Sequence, residues 1–189
     1  MTALTGVILA GGQGRRMGGQ DKGLVLFRGI PLYQHVLQRL RPQVDIVMIS
    51  ANRNLDRYHS SGCRVISDTL PDYPGPLAGM LSGLQAAQTE WVAFCSCDTP
   101  FVPTDYVEQL RRQRAETLCV WARSSERDHP ALALLHRSLA QPLADYLQRG
   151  ERRLMQFLRE QGGHAVTLNQ DEAAFRNVNT PEDLEDNAL

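Results

Sequence analysis

The chain is poor in the features that would place it in several common functional classes. Its 189 residues include four cysteines, Cys63, Cys95, Cys97 and Cys119, and no two of them form a Cys-x-x-Cys pair. No histidine cluster lies at zinc spacing, so a structural zinc site and a dithiol redox motif are both excluded. The four thiols read as reduced core residues of a cytoplasmic protein, with Cys95 and Cys97 on the same face of one strand. Excess charge of either sign is also lacking: 20 basic side chains stand against 21 acidic ones, for a net charge of −1. No global field therefore draws the chain to nucleic acid or to a membrane surface, and any anion site must be local. No apolar run approaches the length of a membrane span. The first apolar stretch is too short for a secretory signal and enters a glycine loop without a cleavage site. Internal repeats, linkers and low-complexity tracts are missing too. The length suits one α/β domain covering residues 1–189.

What the chain does have is concentrated near its start. Thr5-Gly6-Val7-Ile8-Leu9-Ala10 is short, apolar and β-branched in its middle, the pattern of a buried parallel strand. It runs into Gly11-Gly12-Gln13-Gly14-Arg15-Arg16-Met17-Gly18-Gly19-Gln20-Asp21-Lys22. Glycines let the backbone turn sharply and approach a ligand. Backbone N–H groups supply direction, and Arg15, Arg16 and Lys22 supply positive charge, which is the make-up of a loop that holds a phosphate chain. Of the two arginines, alternation favours Arg15 as the one facing the phosphates. The loop is not a Walker A motif, because Lys22 is followed by Gly23 at the wrong spacing. Nor is it a dinucleotide fingerprint: Met17 stands where glycine is required, and Ser50, Ala51 and Asn52 stand where an acidic ribose ligand belongs.

Further along, residues 23–27 read as a short extended piece. Pro31 opens a helix to Arg39, with Leu32, Val36, Leu37 and Leu40 on one face. Strands are predicted over 43–50, 63–67, 91–95 and 117–122, and again over 131–135 after a polar loop at 124–130. Helices are predicted over 54–60, 77–88 and 103–114, then over 138–148 and 151–160. A last strand covers 164–168, a short extended piece covers 177–179, and Thr180-Pro181-Glu182-Asp183 carries the signature of a helix start. Such alternation implies a three-layer, Rossmann-like α/β architecture with a mostly parallel central sheet. Ligands of such sheets lie across the carboxyl ends of the strands. There the basic glycine loop, Ser50, Asn52, Asp68 and Asp98 come together.

Asp98 closes an apolar strand and precedes Thr99-Pro100. A carboxylate at that place, beside a phosphate loop, suits Mg²⁺ with most of its waters retained. The alternative, a helix cap, is disfavoured because the next helix is predicted to begin only at Pro103. Asp68 either caps a turn or accepts from a ribose hydroxyl or a base. Arg15 and Lys22 are placed to stabilise charge on a leaving pyrophosphate.

Five motifs in this order carry a resemblance over essentially the whole chain: Leu9-Ala10-Gly11-Gly12-Gln13-Gly14-Arg15-Arg16-Met17-Gly18 through Asp21-Lys22, Asp72-Tyr73-Pro74-Gly75-Pro76-Leu77-Ala78-Gly79, Cys97-Asp98-Thr99-Pro100, Arg127-Asp128-His129-Pro130, and Asn177-Val178-Asn179-Thr180-Pro181-Glu182-Asp183-Leu184. The chain resembles the bacterial molybdenum cofactor guanylyltransferases. The first motif is shared by many nucleotidyltransferases, whereas the set of five is far more specific. The resemblance implies a nucleotidyltransferase fold and the joining of GTP to the molybdenum-bearing pterin. The products would be the guanine dinucleotide cofactor and pyrophosphate. It makes Leu9, Ala10, Gly11, Gly12, Arg15 and Lys22 GTP contacts. Asp68 becomes a further nucleotide contact and Asp98 the Mg²⁺ ligand, while the loop from Leu77 to Gly79 borders the guanine. Arg127 and His129, with Asn177 and Asn179, would face the pterin. The chain departs from the family's frequent Asn-Ala-Asn after the second strand: Ser50 loses an amide there, so either Ser50 or Asn52 makes that nucleotide contact.

A phosphate monoester has its second pKa at about 6, so the pterin phosphate can attack without a strong base. Positioning and charge neutralisation then carry the reaction, through Asp98, Arg15 and Lys22, and His129 reads as an orienting rather than a proton-accepting group. Two rivals remain open from the residues alone. One is a cytidylyltransferase acting on the pterin or on a sugar or polyol phosphate. The other, from a different class, is a GTP-binding sensor without catalysis, against which Asp98 argues. The chain is expected to act as a monomer in the cytoplasm, away from nucleic acid and membrane. A labile cofactor makes hand-over from delivering proteins, or to receiving ones, a working expectation.

Overall fold

The computed structural model describes residues 2–11, 21–68, 75–178 and 182. In it the first apolar run forms β1 (Leu4–Leu9), buried from Thr5 onward. A strand apolar on both faces needs cover on both, and β1 receives it at the middle of the sheet. Its neighbours are β4 (Ile46–Ser50) and β6 (Trp91–Ser96), both parallel to it. Beyond β4 lies β5 (Arg64–Ile66), also parallel. On the far side of β6, β8 (Asp128–His136) runs antiparallel between β6 and β7 (Cys119–Arg123), and β9 (His164–Thr167) joins β7 in parallel. The strand order is β5-β4-β1-β6-β8-β7-β9, so the sheet is mostly parallel, as the alternation of elements implied. A small antiparallel pair, β2 (Leu26–Phe27) and β3 (Ile30–Pro31), stands apart from it.

Period-two alternation along β1 divides the core into two halves. Ile8 and Ala10 face α1 (Leu32–Leu40) and α4 (Tyr106–Gln113), in a cluster with Val36, Leu40, Val107 and Leu110. Val7 and Leu9 face α3 (Leu77–Ala86), α5 (Ala140–Gln148) and α6 (Leu154–Glu160), in a cluster with Met80, Leu84, Leu143, Tyr146 and Phe157. The result is three layers, helices on both sides of one sheet. The stripe predicted for α1 is the one buried, with Tyr33 added to it.

Several boundaries differ from the sequence reading. α4 starts at Tyr106 rather than Pro103. Pro100 and Pro103 supply no backbone donors, and the chain instead makes two turns, Val102 N to Thr99 O at 3.1 Å and Tyr106 N to Pro103 O at 3.4 Å. Residues 41–43 form a 3₁₀ turn, so β4 begins three residues later than expected. Lys22–Leu24 is likewise a 3₁₀ turn, so the extended piece expected over 23–27 is confined to its second half, with β2 at Leu26–Phe27. The polar loop expected at 124–130 is shorter: β8 already includes Asp128, His129 and Pro130. Its register against β7 slips between Ala133 and His129, and that irregularity lets a proline sit in a strand. A further 3₁₀ turn, Glu172–Phe175, had no clear sequence signal.

Candidate active site

Four parallel strands end side by side, and backbone bonds lock their ends together. Ala51 N donates to Ile66 O at 2.9 Å, Ala10 N to Ser50 O at 2.8 Å, and Cys97 N to Leu9 O at 3.1 Å. Asp68, Ser50, Gly11 and Asp98 thereby line one rim. All four border a cleft of about 760 Å³, within the range of small-molecule sites. The antiparallel direction of β8 matters here. Its beginning, not its end, lies at the same rim, which brings Arg127, Asp128 and His129 to the other side of the cleft.

Asp98 stands between the two sides. Its side chain does not cap a helix. Oδ2 pairs with Lys22 Nζ at 3.0 Å, and Oδ1 accepts from Ser96 Oγ at 2.6 Å. Its carbonyl accepts from Val178 N at 2.7 Å, which ties the segment holding Asn177 to the cleft. Both members of the ion pair are mostly shielded, with side-chain exposures of 19% for Lys22 and 17% for Asp98. Among the described residues no group of three or more His, Cys, Asp or Glu side chains gathers as a metal cage. One carboxylate with a neighbouring hydroxyl instead fits Mg²⁺, which takes few protein ligands and fills the rest with waters and substrate phosphates.

On the β5 side, Asn52 and Asp68 form a two-way pair. Asn52 Nδ2 donates to Asp68 Oδ2 at 2.8 Å, and Asp68 N donates to Asn52 Oδ1 at 2.9 Å. The remaining oxygen, Asp68 Oδ1, is buried with no hydrogen-bond partner among the described residues. A desolvated acceptor without a donor is costly, and a ligand N–H or O–H would relieve it. Gly79 in the first turn of α3 brings the helix onto β1 and β4. A Cβ there would lie 3.0 Å from both Leu9 Cδ2 and Ser50 Oγ.

The β8 side is built from side-chain bonds. Trp121 Nε1 donates to Asp128 Oδ1 at 2.9 Å, and Arg123 Nη1 to Asp128 Oδ2 at 2.8 Å. Burial raises the Asp128 pKa, but these two donors outweigh it and leave the carboxyl below its ordinary value. His129 is buried and stacks on Phe175, ring centroids 4.7 Å apart. Its Nε2 lies 3.0 Å from Ser124 Oγ, which donates to Glu172 Oε1 at 2.7 Å. A charged carboxylate is the stronger acceptor, so Nε2 is assigned as the N–H donor to Ser124. Burial, and next the nearby Arg127 guanidinium, hold the His129 pKa below its ordinary value, so the ring is neutral at pH 7.

Residues 6–166 match the family model described as a MobA-like NTP transferase domain. The molybdenum cofactor guanylyltransferase of Serratia proteamaculans is 56% identical over 180 residues, covering 95% of this chain and 91% of that protein. The protein of that name from Yersinia pseudotuberculosis is 48% identical, covering 96% and 93%. The chain belongs to the molybdenum cofactor guanylyltransferase family. It is thus a nucleotidyltransferase. A solved structure, the molybdopterin-guanine dinucleotide biosynthesis protein A of Archaeoglobus fulgidus, shares the fold, with a TM-score of 0.80 at 22% identity over 97% of this chain and 96% of that one.

For this family member, the cleft gathers Leu9, Gly11, Lys22, Ser50, Asp68, Gly79, Asp98, Arg127, His129 and Asn177 of the residues singled out from sequence. Ala10 sits in the core with its N–H used by Ser50. Leu77 is also core, beneath the wall rather than on it. Asn52 reaches the site through Asp68. Gly12, Arg15, Arg16 and Asn179, with the Asp72-Tyr73-Pro74 segment and the Thr180-Pro181 helix start, lie outside the described residues. Sequence reasoning missed Ser96 and the segment Arg152-Arg153-Leu154-Met155, all at the cleft. Two adjacent arginines between a glycine and a helix were the available signal for the latter.

Proposed function

We propose that GTP lies toward Gly11, Ser50 and Asp68, and the molybdenum-bearing pterin toward Arg127, His129 and Asn177, with Asp98 where their phosphates meet. The observation that carries this reading is a single cleft with the shielded Lys22–Asp98 pair between two differently built walls. The guanine N–H donors are suitable partners for the unpaired Asp68 Oδ1. Arginines 127, 152 and 153 line the opposite wall and suit an anionic acceptor.

In this reading the terminal phosphate of the pterin is already an anion at neutral pH. One of its oxygens forms a bond to the α-phosphorus of GTP, the bond from that phosphorus to the bridging oxygen breaks, and pyrophosphate leaves. Asp98, steadied by Ser96, would hold Mg²⁺, which supplies charge neutralisation on the phosphates when bound. Lys22 moves its charge from Asp98 toward the leaving pyrophosphate, with Arg15 as its partner from the glycine loop. His129, neutral and engaged with Ser124, orients the acceptor instead of taking a proton. The reaction is read as cytoplasmic, in keeping with four buried free cysteines. Burial pushes Cys95 up to about 12, so it is an inert core thiol.

Label transfer tests the reading. With GTP labelled at the α-phosphate, label should pass into the pterin product. With GTP labelled at the γ-phosphate, it should appear only in pyrophosphate. γ-Label in the pterin product would mean attack at another phosphorus and would refute the proposed alignment.

A further inference from the structure

Tyr58 lies outside the cleft, on α2 (Leu55–His59), and is fully buried. Its ring meets Tyr33 of α1 edge-on, centroids 4.9 Å apart. Its hydroxyl donates to Asp21 Oδ1 at 2.7 Å. Asn54, at the start of α2 with a left-handed φ of 54°, donates from Nδ2 to Asp21 Oδ2 at 3.1 Å. Both oxygens of a carboxylate only 7% exposed are thus taken by one short helix and its cap. On the other side of Lys22, Gly23 lies so close to the same hydroxyl that a Cβ there would collide with it. Leu24 N then closes a turn on Asp21 O at 3.0 Å. The residues before and after Lys22 are therefore both fitted to Tyr58, and the Lys22 ammonium emerges between them toward Asp98, 3.0 Å away.

We propose that Tyr58, with Asn54, is a positioning residue that sets Lys22 at the phosphate site by clamping Asp21 and Gly23. A lysine on a freely moving loop would sample many placements, and ligand affinity falls with the fraction that is competent. Burial first, and the Asp21 carboxylate next, push the Tyr58 hydroxyl above its ordinary range, so it stays a proton donor to Asp21. Nothing in this role requires Tyr58 to touch the nucleotide. The inference rests on the reading of Lys22 as a phosphate contact.

A double-mutant cycle on GTP binding, measured by calorimetry on the full chain with Mg²⁺, separates the two. Lys22→Ala should weaken GTP about tenfold or more, as loss of a charged partner does. Tyr58→Phe, which keeps the ring, should weaken it about fivefold. In the Lys22→Ala background, Tyr58→Phe should change affinity by less than about twofold, because coupled residues do not add. Asn54→Gly tolerates the left-handed backbone, lies at an exposed position and should show the same pattern with a smaller loss, about threefold. It decides the matter if Tyr58→Phe fails to fold. Asp21→Asn keeps an acceptor for Tyr58 but loses the one facing Asn54, so it should weaken GTP about as much as Asn54→Gly does, and a loss as large as that of Lys22→Ala would count against the clamp. If Lys22→Ala leaves GTP affinity unchanged, the reading of Lys22 is wrong and this inference falls with it. If Lys22→Ala weakens binding but Tyr58→Phe and Asn54→Gly do not, the reading stands and the clamp is refuted. Losses that multiply in the double variant would make Tyr58 a general stabiliser of the fold and equally overturn the proposal.

Discussion

The two walls of the cleft are built by different means. The wall formed by β1, β4, β5 and the start of α3 follows from sheet geometry. Parallel strands in register end together, backbone bonds join their ends, and Gly79 lets a helix close onto them. The wall formed by β8, the approach to α6 and the 3₁₀ turn at Glu172–Phe175 is assembled from segments distant in the chain. Side-chain bonds hold it: Asp128 with Trp121 and Arg123, and His129 with Ser124 and Glu172. The difference has a functional sense. In the proposed reading the backbone-built wall takes the nucleotide and the side-chain-built wall takes the acceptor.

Asp98 belongs to both walls, so its loss should be the most severe. Asp98→Asn should lower turnover by about a thousandfold or more at saturating Mg²⁺. It should leave the protein folded with a modestly lowered melting temperature, since the amide oxygen keeps the bond from Ser96 while the ion pair with Lys22 is lost. Near-normal pyrophosphate release by this variant would remove Asp98 from the chemistry.

The next two predictions set one wall against the other. Gly79→Val adds bulk 3.0 Å from Leu9 and Ser50 and should raise the KM for GTP about tenfold with little change in the KM for the pterin. Arg127→Ala should do the reverse, raising the KM for the pterin about tenfold and sparing GTP affinity. Equal effects of either variant on both substrates would mean that the walls do not divide the substrates as described.

The smallest effect concerns pH and stability. His129 has a lowered pKa in the fold, with Arg127, Asp128 and Glu172 facing it. The unfolded chain, with an ordinary histidine pKa of about 6.5, therefore binds the proton first as pH falls. The stabilisation that goes with a neutral His129 is complete above that value and is lost as pH drops through the folded pKa. Melting temperatures of wild type and His129→Gln should differ in slope as pH falls below about 6.5, with wild type falling more steeply. Parallel curves would show that His129 does not titrate differently in the folded and unfolded states.

The same contrast explains what could be read from the sequence. β1, β4, β5 and β6 were legible because an apolar run closed by glycine, serine or aspartate is local information, and so was the convergence of Ser50, Asp68 and Asp98 at the ends of β4, β5 and β6. The helix face at Leu32, Val36, Leu37 and Leu40 was legible for the same reason. The polarity of 124–130 reads as a loop, whereas His129 and Pro130 belong to β8, where an irregular register accommodates the proline. Ser96 ends the strand that leads to Asp98 and was open to the same argument, whereas the Arg152-Arg153 pair, marked only by its place between a glycine and a helix, reaches the cleft through tertiary packing. The short loop between β7 and β8 signals an antiparallel pair, since it is too short for a parallel crossover, whereas the insertion of β8 between β6 and β7 has no local signal.

The most direct test of a two-walled guanylyltransferase cleft is pyrophosphate release from GTP, CTP, ATP and UTP in turn, with Mg²⁺, with and without the molybdenum-loaded pterin. The account predicts release from GTP alone, and only when the pterin is present. Comparable release from CTP, or release from GTP that does not depend on the pterin, would contradict it.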